Sequence, residues 1–524
     1  MPTFKLDGRE VPFEPGETIM HAAWRHGIEI PHYCWHPGLS VAANCRMCLV
    51  EIKTERPVMM PVLKWDAQNK RFVPGTKPKL APACQTQAVA NQDVMAKSSD
   101  AITAQAHVQE FLLLNHPVDC PICDQAGECK LQDYWLTSQG KLKRKTTEPV
   151  HKPKAARFGP TIVYDGERCI MCTRCVRFCD EVVGDHVLDM RERGNKNEIM
   201  VSPGRELDHK YTFMTEHVCP VGALTTRDFR FKARVWFLRS QKSVCSGCAT
   251  GCNEYMDFDP RDQRVYRLRP RDNMQVNRFW MCDDGMMTYK HIHEGRVEHG
   301  VSRNGGTQAM IPDAALAQAA ATLRNVPGAS LGIVLSAQHC SEDNYAAHRL
   351  AAALGTDKLY MTALGGWQGD SILRSPDNNP NRAGVVKVAG REPSGLSALL
   401  ADVAAGKVQA VLALGGAAAE DVAALAPLRG LPMVTLASNL GPLTEVASLV
   451  IPVAHHAEME GTFVNRNGLA QRFFAAIAAP EGVRPAWQTI AQLAALLGHD
   501  LGLSQIGDVR KALGLGPASA EARA

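Results

Sequence analysis

Sixteen of the 17 cysteines of this 524-residue chain fall before residue 283, and Cys340 stands alone in the remainder. They recur in short, repeated spacings. A disulfide framework is disfavoured in so long a chain without a secretion signal, so the spacings point to metal or redox chemistry. The distribution divides the protein into a cysteine-rich part that must fold around inorganic centres and a cysteine-poor part that must bury an ordinary core.

Four ligand sets can be read from the spacings. The first is Cys34, Cys45, Cys48 and Cys84, a C-x10-C-x2-C run with a distant fourth cysteine that the fold must bring back. A plant-type ferredoxin site has C-x4-C-x2-C plus a remote cysteine, and only the first gap is longer here. That arrangement beside a hairpin-and-helix start favours a [2Fe-2S] centre over zinc, whose structural sites pair two C-x2-4-C knuckles. The second set, in "HPVDCPICDQAGEC", is His116, Cys120, Cys123 and Cys129. A lone histidine beside proline reads as a helix-end or core residue. This one stands four residues before Cys120, about one helical turn, which would let both side chains converge on a single metal-sulfur cube.

In the third set, "CIMCTRCVRFC" supplies Cys169, Cys172, Cys175 and Cys179, and "CPVGAL" supplies Cys219 before Pro220. In two-cluster bacterial ferredoxins the cysteine before proline ligates the other cluster, so Cys219 should complete the cube begun by Cys169, Cys172 and Cys175. The second cube would need three partners at matching spacing, where this chain has His209, Thr212 and Thr215. Cys179 is therefore expected to be a leftover thiol. The fourth set is Cys245, Cys248 and Cys252 of "CSGCATGC", closed by Cys282, a [4Fe-4S] spacing found at the head of molybdopterin enzymes. Fifteen cysteines and one histidine make 16 ligands, enough for four clusters, with Cys179 and Cys340 outside the scheme.

The length suggests roughly three to five domains. "FKLDGREVPF" reads as a hairpin turning at Asp-Gly, and "ETIMHAAWRHG" as a helix ending at Gly27. Residues 141 to 160 are polar, basic and proline-bearing, as a solvated connector would be. From about residue 295 the apolar runs "SLGIVLS", "QAVLALGG", "LPMVTLAS" and "SLVIPVA" alternate with helix-compatible segments, the pattern of an α/β layer with a mostly parallel sheet. "LALGG" lacks the company of a phosphate-binding fingerprint and reads as a strand-end turn.

Hydrophobic residues at 45% and charged residues at 21% are ordinary globular usage. Asp402, Lys407 and Glu420 interrupt the Ala-rich stretch before it reaches the roughly 18 apolar residues of a membrane span. The first residues lack the basic and apolar regions of a Sec-type signal, which makes cytoplasm the expectation. A net charge of +4 gives no argument for nucleic acid.

This ordered series of motifs resembles the large iron-sulfur subunit family of bacterial NADH-quinone oxidoreductases, respiratory complex I. The resemblance rests on the ligand motifs over residues 1 to 290 and on weaker signals beyond, such as "EMEGTFVNRNGLAQR", similar to the tail of molybdopterin-oxidoreductase-like domains. It implies an α+β and α/β multidomain protein. Its parts would be a β-grasp ferredoxin-like [2Fe-2S] domain (1–95), a His/Cys3 [4Fe-4S] segment (96–150), a [4Fe-4S] ferredoxin-like domain (151–237), a molybdopterin-oxidoreductase-type [4Fe-4S] domain (238–294) and a shortened molybdopterin-oxidoreductase-like α/β domain (295–524). His116 matches the family's histidine ligand. A neutral imidazole in place of a thiolate leaves a cluster less negative and raises its potential, as in Rieske centres.

The implied function is electron relay from a flavin in a neighbouring subunit towards quinone, through one [2Fe-2S] and three [4Fe-4S] clusters. The implied partners are other peripheral-arm subunits, including the flavin-bearing NADH-binding one, on the cytoplasmic side of the inner membrane, without a membrane span or nucleic acid. No dinucleotide fingerprint accompanies the motifs, so no nicotinamide or flavin site is expected in this chain. Only 242 residues follow Cys282, short for a pterin-binding body, so no molybdenum cofactor is expected and Cys340, beside His339, reads as a packing residue rather than a molybdenum ligand. The rival readings are the cluster-bearing subunits of NAD-linked hydrogenases and formate dehydrogenases, which normally keep the second cube, and a zinc-stabilised scaffold without redox function.

Overall fold

The structure, a computed structural model, describes residues 1–54, 58–137, 148–303 and 306–515. It divides into two compact units, Met1–Trp236 and Phe237–Ala524.

The first unit opens with β1 (Thr3–Leu6) and β2 (Arg9–Pro12), paired antiparallel across Asp7 and Gly8, whose φ angles are 49° and 84°. Asp-Gly accepts this left-handed turn at little cost, as the sequence anticipates. Helix α1 (Ile19–Arg25) begins where the Thr18 hydroxyl accepts the His21 N–H and ends before Gly27 at φ 67°. Its buried residues Ile19, Met20, Ala22 and Ala23 pack on Phe4, Leu6, Val50 and Val94. Next come β3 (Leu49–Lys53), a separate two-stranded hairpin of β4 (Met59–Asp66) and β5 (Arg71–Pro78), then β6 (Ala81–Pro82) and β7 (Asp93–Met95). The sheet order is β2-β1-β7-β3-β6, and the hairpin stays outside it.

Helix α2 (Ser99–Leu113), capped by Ser98, precedes a short 3-10 turn at Cys120–Ile122 and α3 (Lys130–Thr137). The helical turn expected to relate His116 to Cys120 does not form. Residues 116 to 119 are extended or irregular, because Pro117 lacks an N–H and disfavours helical backbone at the residue before it. Of the connector expected at 141–160, residues 141–147 lie outside the described residues, and its end is β8 (Ala156–Arg157). This strand pairs with β9 (Ile162–Tyr164). After α4 (Arg174–Phe178) come the pair β10 (Leu188–Arg191) and β11 (Glu198–Val201), α5 (Met214–Val218), and β12 (Leu224–Thr226), which returns to β9.

The second unit begins with the antiparallel strands β13 (Arg239–Val244), β14 (Asn253–Asp259) and β15 (Arg264–Pro270). Buried Asp257 accepts hydrogen bonds from Ser240 Oγ (2.6 Å), Arg267 Nε (2.8 Å) and Arg269 Nε (2.5 Å). The short helices α6 (Asp283–Met286) and α7 (Lys290–His293) follow.

An eight-stranded sheet comes next, from β16 (Gly300–Ser302), β17 (Gln308–Met310), β18 (Leu331–Ser336), β19 (Leu359–Thr362), β20 (Ser394–Gly395), β21 (Ala410–Leu414), β22 (Met433–Ala437) and β23 (Leu449–Pro452). Its order is β17-β16-β23-β22-β21-β18-β19-β20, and β18 to β23 are mutually parallel. The four apolar runs expected as strands are β18, β21, β22 and β23. Alternate residues serve opposite cores: Ile333, Leu335 and Leu412 join one, Val334, Val411 and Ala413 the other. A parallel sheet covered on both faces needs such uninterrupted apolar strands. Winding starts at β18 and runs outward both ways, so the connections diverge between β18 and β21. A hairpin of β24 (Gly461–Val464) and β25 (Ala470–Phe473) follows the sheet. Among the described residues no helix is long and apolar enough to cross a membrane.

Candidate metal centres

In the first set, Cys34 follows α1, Cys45 and Cys48 lie in the loop that enters β3, and Cys84 lies just beyond β6. The Ala83 N–H donates to Cys48 O at 2.9 Å, which draws the distant fourth cysteine back. Cys34 is hydrogen-bonded to Cys45, and Cys48 to Cys84. The neighbouring Cys34 pulls the Cys45 thiol down to about 5, and Cys48 lowers Cys84 in the same way. Left-handed backbone at Ala43 (φ 52°) and Arg46 (φ 60°) rolls the loop around the thiols, a cost that sites of function tolerate.

In the second set, His116, Cys120, Cys123 and Cys129 line one cavity of about 450 Å³ despite the irregular backbone between the first two. Burial, with Arg168 nearby, pushes the His116 imidazole down to about 4, so it is neutral at pH 7. Its Nδ1 is buried without a hydrogen-bond partner among the described residues. A buried unpaired nitrogen is costly, and an electrophile in the cavity would satisfy it. Gly222 lies on the same wall, where a Cβ would stand 2.3 Å from Cys123 Sγ. Only a bare backbone leaves the sulfur room. The donor set of three thiols and a neutral imidazole suits an iron-sulfur cluster, and the void exceeds what one metal ion needs.

In the third set, Cys169, Cys172, Cys175 and Cys219 line a small enclosed cavity with Tyr164 and Leu224. Burial lifts the Cys169, Cys172 and Cys219 thiols to about 11 and Cys175 well above its ordinary value. Such thiols stay protonated at neutral pH unless a cation compensates them. Met171 and Thr173 are left-handed, and the Met171 N–H points at Cys169 Sγ from 3.4 Å. Cys179 opens the π-helical turn after α4 and is absent from this cavity's wall. Its Sγ is 3.6 Å from His209 Nε2, while the Thr212 hydroxyl pairs with Thr161 and the Thr215 hydroxyl donates to Thr212 O.

Side chains that sequence reasoning passed over tie these three sets together. Arg177 donates to Cys34 O (2.5 Å), Cys172 O (3.3 Å), Thr173 Oγ1 (3.2 Å) and Ser40 O. Arg174 reaches Val218 O (3.2 Å), beside Cys219 of its own set, and Trp35 O, beside Cys34 of the first. The Lys130 N–H donates to Pro220 O at 3.1 Å, and Tyr134 Oη to Glu29 Oε1 at 2.8 Å. Both arginines stand in "CTRCVRFC", where a basic residue among cysteines was the available signal.

The fourth set lies in the second unit, with Cys245, Cys248, Cys252 and Cys282 all buried. The Cys245 N–H donates to Cys252 O at 2.8 Å and closes the loop. Gly247 N is 3.4 Å from Cys245 Sγ, and Gly285 N is 3.3 Å from Cys282 Sγ. A Cβ at Gly285 would meet those two sulfurs at 3.1 and 3.4 Å, so bare backbone passes between them. Burial pushes the carboxyl of nearby Glu254 up to about 8 against the pull of Arg271. A cavity of about 610 Å³ joins Gly247 of this loop to His339 and Cys340 after β18, Gly415 after β21 and His455 after β23. Cys340 caps α8 (Ser341–Ala353), its sulfur accepting the Asp343 N–H at 3.4 Å, and packs with Phe463 and Phe473.

Four family models match the chain: a 2Fe-2S iron-sulfur cluster binding domain over residues 1–98, the NADH-ubiquinone oxidoreductase-G iron-sulfur binding region over 105–139, the NADH-quinone oxidoreductase subunit 3 ferredoxin-like domain over 159–225, and the molybdopterin oxidoreductase Fe4S4 domain over 238–294. The NADH-quinone oxidoreductase G subunit of Mycobacterium bovis is 34% identical over 69% of this chain and 43% of its own. Subunit 3 of the Thermus thermophilus NADH-quinone oxidoreductase is 35% identical over 68% of this chain and 47% of its own. The match thus spans less than half the length of these relatives. Among solved structures, an NAD+-reducing [NiFe]-hydrogenase chain is similar at a TM-score of 0.37 and 26% identity, covering 45% of this chain and 91% of that one.

Proposed function

The chain is a homologue of the large iron-sulfur subunit of NADH-quinone oxidoreductases, and from that premise we propose that it is the iron-sulfur relay subunit of such a complex. In this reading electrons pass from a flavin-bearing NADH-binding subunit towards quinone. The catalysed reaction is that of the complex, a proton-translocating NADH:quinone oxidoreductase.

Cys34, Cys45, Cys48 and Cys84 would hold a [2Fe-2S] cluster. His116 with Cys120, Cys123 and Cys129, Cys169 with Cys172, Cys175 and Cys219, and Cys245 with Cys248, Cys252 and Cys282 would each hold a [4Fe-4S] cluster. When bound, such clusters supply reversible one-electron transfer. The protein's own contribution is to exclude water around the thiols, to aim the N–H groups of Met171, Gly247 and Gly285 at sulfur, and to keep His116 neutral. The domains follow as 1–95, 96–150, 151–237, 238–294 and 295–524. The last is a shortened molybdopterin-oxidoreductase-like scaffold for which no molybdenum cofactor is expected. The subunit would sit peripherally on the cytoplasmic side of the inner membrane.

The observation that carries the reading is the neutral His116, its Nδ1 unpartnered, on the wall of a cavity shared with three thiols. EPR of the reduced protein with iron and sulfide quantification tests it. One two-iron and three four-iron signals are expected. About four zinc ions with little iron would exclude the relay and favour the zinc scaffold.

A further inference from the structure

The β4–β5 hairpin is inserted between β3, which follows Cys48, and β6, which precedes Cys84, and its base is closed by the Lys79 N–H on Val58 O at 2.8 Å. The register places Trp65 opposite Phe72, Leu63 opposite Pro74, Pro61 opposite Thr76 and Met59 opposite Pro78. Side chains alternate across a strand, so these eight share one face, and seven of them are apolar. That face is bare: Leu63 is 68% exposed, Phe72 63% and Trp65 56%. An isolated two-stranded ribbon is marginal in water, and an exposed contiguous apolar face of this kind marks a contact surface.

The charges restrict what covers it. Lys64, Arg71 and Lys77 fall on the opposite face, Lys70 in the turn and Lys79 at the base, all exposed and none with an ion pair among the described residues. The one hairpin carboxylate, Asp66, is occupied by Gln68 N, Asn69 N and Asn69 Nδ2. The same hairpin of a second copy, laid face to face, offers these cations no carboxylate, since its Asp66 is already occupied. A bilayer core would strip water from both open edges of the ribbon, whose backbone groups have no sheet partner there and would be left unsatisfied. A protein groove with an apolar floor and carboxylate-bearing walls meets every requirement, since long Lys and Arg side chains reach around the edges of a ribbon only two strands wide.

We propose that the β4–β5 hairpin is the docking element by which this chain seats, beside its first cysteine set, in an apolar, acid-walled groove of a different protein subunit. The proposal builds on the relay reading by naming the surface through which the chain meets a neighbour. To test it, a photo-crosslinking amino acid replaces Leu63 in the full chain within the assembled complex, and the crosslinked peptide is identified by mass spectrometry. A crosslink to a different chain at a segment flanked by Asp or Glu supports it. So does a loss of affinity of about 30-fold or more in Trp65→Ala/Phe72→Ala. Lys64→Glu/Arg71→Glu/Lys77→Glu should weaken the same association and be rescued by Lys at the crosslinked acids. A crosslink only to a second copy, capture only by phosphatidylglycerol vesicles, or no crosslink in the intact complex overturns it. Iron content and EPR of the same variants report on the relay reading separately, because the substituted residues touch no cysteine of the four sets.

Discussion

Cys179 Sγ and His209 Nε2 face each other at 3.6 Å, and the imidazole stands where a second ferredoxin cube would need a thiolate. Around them, the Thr212 and Thr215 hydroxyls are spent on Thr161 Oγ1 and on Thr212 O. Three oxygen or imidazole donors make a poor thiolate cage, so Cys179→Ala should retain the full iron content. Loss of about four irons in that variant would mean that the third set is paired differently.

The wild-type protein should carry about 14 iron atoms, from one two-iron and three four-iron clusters. Cys172→Ser should remove one four-iron EPR signal and leave the others. Colorimetric iron and sulfide assays on the two proteins give the difference directly.

His116→Cys adds a negative charge to a partly desolvated centre, so its midpoint potential should fall by on the order of 100 mV. His116→Ala should instead weaken assembly and leave a labile or three-iron centre. Redox-titrated EPR decides: an unchanged potential and line shape in both variants would make His116 purely structural.

Gly222→Ala places a methyl 2.3 Å from where Cys123 Sγ now lies. The second set should lose its cluster, about four irons, while the first and fourth sets keep theirs. A full complement with an undisturbed second-set signal would show that this wall yields.

Burial alone would raise the Asp257 carboxyl, but Arg269, Arg267 and Ser240 outweigh it and hold it below the usual carboxylate range. Its stabilisation is therefore present above the ordinary aspartate value of about 3.9 and is lost as pH falls through the lower folded value. Asp257→Asn should destabilise the second unit by about 3 kcal/mol at pH 7, because Arg267 and Arg269 lose their shared anion. In denaturant titrations the gap between variant and wild type should close as pH drops below about 4. A gap independent of pH would contradict the ion-pair account.

The iron-sulfur domains that the family models match were legible in the sequence because metal chemistry fixes residue type and spacing together, and the parallel strands because a doubly covered sheet demands unbroken apolar runs such as "LGIVLS". The backbone around His116 was not legible: residue count suggested a helical turn, and Pro117 prevents it. The β4–β5 hairpin was also missed. Its alternation, "MPVLKWD" against "RFVPGTKP", becomes visible only once the strands are known to pair, since prolines at 61, 74 and 78 argue against strands in isolation. Arg174 and Arg177 could not be assigned a purpose from spacing, because carbonyls contributed by distant loops leave no trace in composition.

Arg177 has a further consequence. Its guanidinium is held at once by carbonyls or hydroxyls at Cys34, Ser40, Cys172 and Thr173, so it has no free orientation left. A dipole that cannot turn does not relax when a charge nearby changes. On the proposed relay reading, this stiffness would lower the reorganisation energy of electron transfer between the first and third sets.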